Sequence, residues 1–369
     1  MRNQTLIKTA LSLFIAAMII LTLILGKVFL IPLAVAFFFG YLLYPLTWQI
    51  EKRGVHRGIS IFIVILLAVA VLASIGLFVG IKVSNATIDF TALKEQVTTK
   101  LSSFQGALED KLGMRSHAMD QAISRASENI FSSWESKVGD YFSRTTTTLF
   151  QIFILPVFTF FVMFYRTKTA YFIFRMVGRK NKPTALRILR EVSDVTVKYL
   201  GGILIVVLIL AVLNTTGLLI IGVPNAIIFG VLAAFLNLIP YIGTFIGGLI
   251  PILYVLFSLD DPLSIVVKIA ILFAIVQFIE NNLLTPNIVG NNIKINPLAI
   301  IVGLLLANLI WGIAGMLIVV PVMAILKIVM RNIPELQPFA YLLSDRGTEK
   351  HRFEFKWFTK KWKQIFKKS

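Results

Sequence analysis

Long runs of apolar residues are the feature that most constrains how this chain can fold. A helix needs about 20 apolar residues to cross the hydrocarbon core of a bilayer. Six runs approach or exceed that length: residues 6–25, 28–48, 59–81, 146–165, 199–221 and 263–279. Two further stretches, 225–259 and 297–330, are long enough for one span each but are interrupted near the middle by Gly and Pro. The sequence therefore predicts an all-α, polytopic membrane protein with about eight membrane segments.

The composition fits this class and excludes an ordinary soluble enzyme. Apolar residues make up 57% of the chain and charged residues 15%, whereas a soluble domain carries about 45–50% and 25%. The absence of cysteine removes disulfides, thiol nucleophiles and thiolate metal ligands. The histidines, His56, His117 and His351, are dispersed over both sides of the predicted membrane. We therefore expect no enzymatic activity, no metal site and no cofactor.

The positive charge indicates how the chain is oriented. Residues 1–30, 49–58, 166–198 and 331–369 carry net charges of +3, +2, +7 and +6, which together account for the whole net charge of +18. Loops rich in Lys and Arg stay on the cytoplasmic side of a membrane. We therefore expect a cell-membrane protein whose N- and C-termini are both cytoplasmic.

Charge and hydropathy together divide the chain into regions. Apolar residues recur at three- and four-residue steps in the neutral part between the third and fourth runs, which predicts amphipathic helices outside the cytoplasm. The basic segments mix cations with aromatic rings, so we expect anionic membrane lipids as partners and no nucleic acid. The predicted regions are membrane helices 1–3 (1–81), the extracytoplasmic helical insertion (82–144), membrane helix 4 (145–165), basic interfacial helices (166–198), a transport core (199–330) and a basic, aromatic tail (331–369).

The two broken segments of this core, 225–259 and 297–330, are the strongest functional signal from the residues alone. Freed backbone groups within a membrane are tolerated only where protein or a water-filled cavity satisfies them, and paired broken segments indicate a transporter's binding site. Re-entrant hairpins and fully spanning helix pairs both leave an odd number of membrane crossings between residue 221 and the cytoplasmic tail, so the sequence allows either. The spacing of Gly243 and Gly247 also fits close helix packing. The interrupting residues are Pro240, Gly243, Gly247 and Pro251 in the first segment and Gly312, Gly315 and Pro321 in the second.

A few polar residues in these apolar surroundings are candidates for contact with a cargo or an ion. An ionisable group at membrane depth is costly and is a functional candidate by default. For Glu280 the alternative is a helix end in the interface, paired with Lys294. The candidate residues are Asn237, Glu280, Asn281, Asn282 and Asn308.

The same residues carry a family resemblance. Residues 237–243 read NLIPYIG, with Pro251 downstream; residues 280–286 read ENNLLTP and are followed by Asn296-Pro297 and by GIAG at 312–315. In this order and spacing the motifs resemble those of the autoinducer-2 exporter (AI-2E) family over nearly the whole chain. Asn296 stands where the family often has His.

The resemblance implies a transporter that moves a small polar solute by an elevator-like form of alternating access. The family name reflects export of autoinducer-2, a furanone used in quorum sensing. The resemblance also implies a homo-oligomer, with a pentamer as one possibility. One alternative is a Na⁺(Li⁺)/H⁺ antiporter of the same family, with Glu280 as the titrating group. An alternative of another class is a non-transporting membrane scaffold or assembly protein that acts through residues 82–144.

Overall fold

The computed structural model describes residues 2–85, 99–100, 145–240, 242–259, 261–289 and 294–345. Most of the predicted insertion and the tail beyond residue 345 lie outside the described residues. The described part contains ten α-helices, one π-helix (Glu280–Val289), one short 3₁₀ turn (Pro334–Leu336) and a single isolated β-bridge. The α-helices are α1 (Arg2–Leu25), α2 (Lys27–Glu51), α3 (Arg57–Asn85), α4 (Thr145–Phe164), α5 (Arg166–Ile221), α6 (Ala226–Leu236), α7 (Ile242–Ser258), α8 (Leu263–Ile279), α9 (Pro297–Arg331) and α10 (Gln337–Leu343).

The prediction of an all-α, polytopic membrane protein is confirmed. Five described helical stretches are long and apolar enough to cross a membrane. Large apolar side chains remain exposed on their outer faces, as Phe62, Leu208 and Phe278 do. Such faces are stable against lipid rather than water. The number of spans, about eight, stays a prediction.

Helices α2, α3 and α4 form one packed unit. Leu43, Ile61, Val64 and Met163 are buried together where the three helices meet. Gly40 lets α2 approach α4 closely, because a Cβ there would lie 3.4 Å from the side chain of Met163. This unit holds the start of α5 through charged contacts at one end.

The end of the bundle where the α2–α4 unit contacts the start of α5 carries most of the described basic residues, and we call it the basic end. Arg166 at the start of α5 pairs with Glu51 at the end of α2. Arg57 donates 2.7 Å to the carbonyl oxygen of Met163 in the last turn of α4, where a cation also complements the helix dipole. Further along, Arg331 at the end of α9 pairs with Glu191 of α5. The opposite end, where α1 turns into α2 at Gly26, is called the neutral end.

Helix α5 is broken near its start and then runs across the bundle. Gly178 has φ 78° and ψ 168°, which separates a short first portion from a long second portion. The second portion is basic at its start and apolar from Tyr199 onward. The helix ends at Gly222, whose φ of 85° is the left-handed conformation that favours glycine at a helix C-terminus. The turn at Gly222 therefore lies at the neutral end and starts the first broken segment there.

The first broken segment is an antiparallel helical hairpin, which we call hairpin 1 (α6 and α7). Asn225 donates 3.3 Å to the hydroxyl of Tyr254 near its base. Closer to the break, a Cβ on Gly247 would lie 2.9 Å from the Cα of Ala233. Both ends of the hairpin therefore lie at the neutral end. Since α6 has 11 residues, it is about 16 Å long, which is roughly half the thickness of a hydrocarbon core of about 30 Å.

The second broken segment is also an antiparallel hairpin, hairpin 2, formed within α9. Gly312 has φ 62° and ψ −143°, a conformation close to one reserved for glycine, and this reverses the chain. Gly315 then packs against the carbonyl oxygen of Ala307 across the hairpin. Its two ends lie at the basic end, so hairpin 2 enters the bundle from the side opposite to hairpin 1. Its tip reaches the neutral end, where Trp311 donates 2.9 Å to the carbonyl oxygen of Leu23 in α1.

Candidate functional site

A cavity of about 600 Å³ lies between the tip of hairpin 1 and the basic end. One wall is α5, through Tyr199, Ile203 and Val206. The π-helix forms the facing wall and lies close to α5, because Gly202 leaves room for the backbone of Val289. Ile300 of hairpin 2 contributes a third wall. A volume of this size fits a small-molecule ligand.

The tip of hairpin 1 closes the deep end of this large cavity. Residues 237–241 join the two helices, and Pro240 supplies no backbone N–H there. A Cβ on Gly243 would meet the carbonyl oxygen of Leu236, so only glycine permits this tight reversal. Pro251 is fully buried further along α7. The predicted hairpin residues thus bring Asn237 and backbone groups to the cavity.

Glu280 lies at the same depth and is held by two amides. Glu280 is buried, with only 9% of its surface exposed. Asn237 Nδ2 donates 2.7 Å to one carboxylate oxygen, and Gln277 Nε2 donates 2.9 Å to the other. Each oxygen of this buried group therefore has a charge-assisted hydrogen bond, as a buried carboxylate requires.

The position of Glu280 follows from a change of helix type. Helix α8 ends at Ile279, and Glu280 opens the π-helix that continues to Val289. π-Helical segments are rare in proteins, but those that occur are often found at functional sites. The hydrogen bond from Asn237 connects hairpin 1 to this span, so a movement of one element relative to the other must rearrange that bond.

The large cavity opens at the basic end, next to the last described residues of the chain. Lys294 and Asp345 both line the cavity. The backbone N–H of Asp345 donates 3.1 Å to the carbonyl oxygen of Lys294, and the N–H of Asn296 donates 2.9 Å to that of Leu343. Lys294 adopts φ 35°, unusual for a non-glycine residue.

The structure places the other predicted contact residues differently. Asn281 lines the large cavity and accepts a 3.1 Å hydrogen bond from Gln277. Asn282 is exposed and donates 2.8 Å to the carbonyl oxygen of Phe278, four residues earlier in the last turn of α8. Asn308 is exposed near the tip of hairpin 2, away from this cavity. Roles for these residues in binding stay predictions.

Several polar residues of the cavity were missed by the sequence reasoning. Gln277 precedes Glu280 by three residues and so shares its helix face, a signal that could have been used. Thr244 lies one helical turn beyond Pro240, which is a weaker signal of the same kind. Nothing in the sequence brings Lys294 and Asp345 together. In the described part of the chain, no group of three or more His, Asp or Glu residues is arranged to hold a metal ion.

Two broken hairpins that enter from opposite ends, with a carboxylate-bearing cavity beneath one of them, define a polytopic helical membrane protein built like a transporter. The family model described as AI-2E family transporter matches residues 13–335. The chain belongs to this family, as the motifs at 237–243 and 280–315 predicted.

Individual relatives agree with this membership. Putative transport proteins YrrI and YueF of Bacillus subtilis (strain 168) are 31% and 28% identical to it over 320 residues each, covering 82% and 83% of this chain and 86% and 84% of theirs. AI-2 transport protein TqsA of Escherichia coli (strain K12) is 22% identical over 331 residues, which cover 87% of this chain and 90% of TqsA.

Proposed function

We propose that this protein moves a small polar solute across the cell membrane by alternating access, and that the large cavity is the cargo site. The observation that carries the proposal is the carboxylate of Glu280, hydrogen-bonded to Asn237 at the tip of hairpin 1. A buried ionisable group at membrane depth is retained at a cost and marks a transport pathway. In this proposal the basic end faces the cytoplasm and the structure has its cavity mouth on that side.

The cavity chemistry favours a neutral, hydroxylated solute or a cation over an anion. Among the described lining residues the charged groups are Glu280, Asp345 and Lys294, so the wall carries one net negative charge. Asn281 and Thr285 add hydrogen-bonding groups to an otherwise apolar surface. The relative TqsA is named as an AI-2 transport protein, and a solute of that kind, small and polar, matches this set of groups.

Alternating access would require the tip of hairpin 1 to separate from Glu280. Opening toward the neutral end breaks the hydrogen bond from Asn237, while the unit of α2, α3 and α4 need not change internally. An elevator-like movement of the core past this unit fits such a division, since buried clusters pack within each part. Cargo that replaces the broken hydrogen bonds would lower the cost of the movement.

The test is flux through reconstituted liposomes with one variant that fills the cavity and one that does not. Val206 is buried and lines the cavity, whereas Leu208 on the same helix is 62% exposed on the outer face. Val206→Trp should abolish uptake of a furanone or polyol probe, and Leu208→Trp should retain it. Equal flux through both variants, each incorporated to the same level, would exclude this cavity as the route.

The buried carboxylate also supports the second candidate, a Na⁺(Li⁺)/H⁺ antiporter. An exchanger needs a group that binds a cation and a proton in turn, and Glu280 is the only acidic residue described at the deep end of the cavity. Glu280→Gln keeps the shape but removes the charge. Loss of cation-driven proton movement in vesicles, with solute flux retained, would favour the antiporter. Unchanged proton movement would exclude that role for Glu280.

A further inference from the structure

The lining of the large cavity changes its character with depth. Hydrogen-bonding groups are concentrated at the deep end, where Asn237 donates to Glu280 and where Thr285 follows along the π-helix. Charged groups lie at the opening, through Lys294 and Asp345. The described residues that line the cavity between these two levels are almost all apolar. The cavity is therefore polar at both ends and apolar in its middle part.

We call the middle part of this lining the apolar band. Its residues come from α5, the π-helix and hairpin 2 and are Ile203, Val206, Val207, Val289, Ile300 and Val320. A Cβ on Gly202 would lie 3.0 Å from the Cα of Val289, which places α5 and the π-helix side by side at this level. Val206, Val207, Val289 and Val320 also belong to one buried apolar cluster. The band is therefore a continuous surface shared by three elements.

The apolar band is long enough for a chain-like group. The stretch of α5 that lines the cavity, from Tyr199 to Val207, spans about 12 Å, which is close to the extended length of roughly ten carbons. Water along such a surface cannot form hydrogen bonds with it. An apolar group that displaces this water gains free energy of binding. A solute that is polar throughout would leave that gain unused.

We propose that the cargo is an amphiphile, with an uncharged, hydroxylated end at Glu280 and an unbranched apolar chain along the apolar band. This inference rests on the proposed function, because it takes the large cavity to be the cargo site, and it narrows the class of solute to one that is polar at one end. Asn281 and Thr285 supply hydrogen-bonding groups for that end. Lys294 and Asp345 limit the chain length, because an apolar chain that reached them would remove water from charged groups.

The test uses cysteine labelling as a ruler along the cavity. The natural chain has no cysteine, so a single introduced cysteine reacts with a water-soluble maleimide without background. Thr285→Cys reports on the deep end, and Ile300→Cys reports on the band close to the opening, because Ile300 packs in a cluster with Ile295. Asp194→Cys is the control, since Asp194 is exposed on α5 and does not line the cavity. The probes are straight-chain diols of three to twelve carbons, with both hydroxyls at one end, added to the full-length protein in liposomes.

The expected result is a protection from labelling that depends on chain length. The three-carbon diol should protect Thr285→Cys and not Ile300→Cys, which only longer diols should protect. The free diol concentration that halves labelling of Thr285→Cys should fall about fourfold for each added methylene, equivalent to about 0.8 kcal/mol, until the chain reaches the opening. A concentration that does not change with chain length would overturn the proposal. The same change at Asp194→Cys would also overturn it, because the diols would then act through the membrane.

Val206→Thr tests the band itself, since it adds a hydroxyl there with little change of shape. Leu208→Thr is the matched control, because Leu208 lies on the outer face of the same helix. In the Thr285→Cys background, the half-protecting concentration of the eight-carbon diol should rise at least about fivefold in Val206→Thr, equivalent to about 1 kcal/mol, and stay unchanged in Leu208→Thr. The three-carbon diol should respond to neither variant. Ile203→Thr repeats the test if Val206→Thr does not fold, and an unchanged eight-carbon value in the folded variants would exclude the band as the chain site.

The cavity-filling variant separates this inference from the proposed function. If Val206→Trp abolishes flux while chain length has no effect on protection, the cargo route stands and the cargo is polar throughout. If protection depends on chain length as expected but Val206→Trp transports normally, the cargo route is wrong, and so is the assignment of the amphiphile as cargo.

Discussion

The hydrogen bond between Asn237 and Glu280 predicts a measurable energetic coupling between hairpin 1 and the π-helix. The perturbation is a double-mutant cycle with Asn237→Ala, Glu280→Ala and the double variant. In water a hydrogen bond to a charged group contributes about 1.5–3 kcal/mol, whereas side-chain hydrogen bonds within membrane proteins average about 0.6 and reach about 1.7 kcal/mol. With a 2.7 Å distance and a carboxylate acceptor, we expect a coupling of about 1–1.7 kcal/mol, toward the upper end of the membrane range.

The assay is the free energy of unfolding in mixed micelles titrated with a denaturing detergent and followed by tryptophan fluorescence. The matched control is the cycle between Asn237 and Asn282, because Asn282 donates to the nearby carbonyl oxygen of Phe278 and not to hairpin 1. Its coupling should stay within about 0.5 kcal/mol of zero, as for independent sites. A coupling of Asn237 with Glu280 no larger than this control would refute the assignment of Glu280 as the group that anchors the hairpin tip.

Three further substitutions, with Gly201→Ala of α5 as a control, test the hairpins through the same free energy of unfolding. Gly243→Ala should lower it by about 1–3 kcal/mol because the added methyl meets a backbone carbonyl, while Gly201→Ala, with open space around it, should raise it by up to about 1 kcal/mol. Gly312→Ala should cost about 1–3 kcal/mol because its φ of 62° strains any other residue; a neutral result would mean that the chain does not reverse there. Trp311→Phe should cost about 0.6–1.7 kcal/mol through loss of the hydrogen bond to Leu23, and an unchanged value would show that α1 is held by other contacts.

The membrane class and the helices followed from the sequence because apolar run length is a strong local signal. The tips of both hairpins also fell where Pro240 and Gly312 interrupt those runs. The sequence did not predict how the two halves of each broken segment pack. They fold back on each other through contacts such as that of Gly247 with Ala233, which link positions that no local pattern connects. Whether each hairpin is re-entrant or spanning stays a prediction.

The candidate site shows the same division between local and long-range information. Asn237 and Glu280 were candidates because polar groups are rare in apolar surroundings, but their hydrogen bond joins residues 43 positions apart, a pairing that no periodicity predicts. Asn308 was chosen by the same polar criterion. It lies apart from the cavity because hairpin 2 enters from the basic end, which carries its tip to the neutral end.

The hydrogen bond from Trp311 to Leu23 also has a consequence for the order of assembly. It joins the tip of the last hairpin to the first helix of the chain, residues 288 positions apart. Proteins are made from the N-terminus, so α1 enters the membrane long before its partner in hairpin 2 has been synthesised. During translation α1 therefore lies in the membrane without this contact, and it can form the contact only after hairpin 2 has been inserted. A chain that stops before residue 311 should therefore leave α1 undocked, however well α2, α3 and α4 have packed.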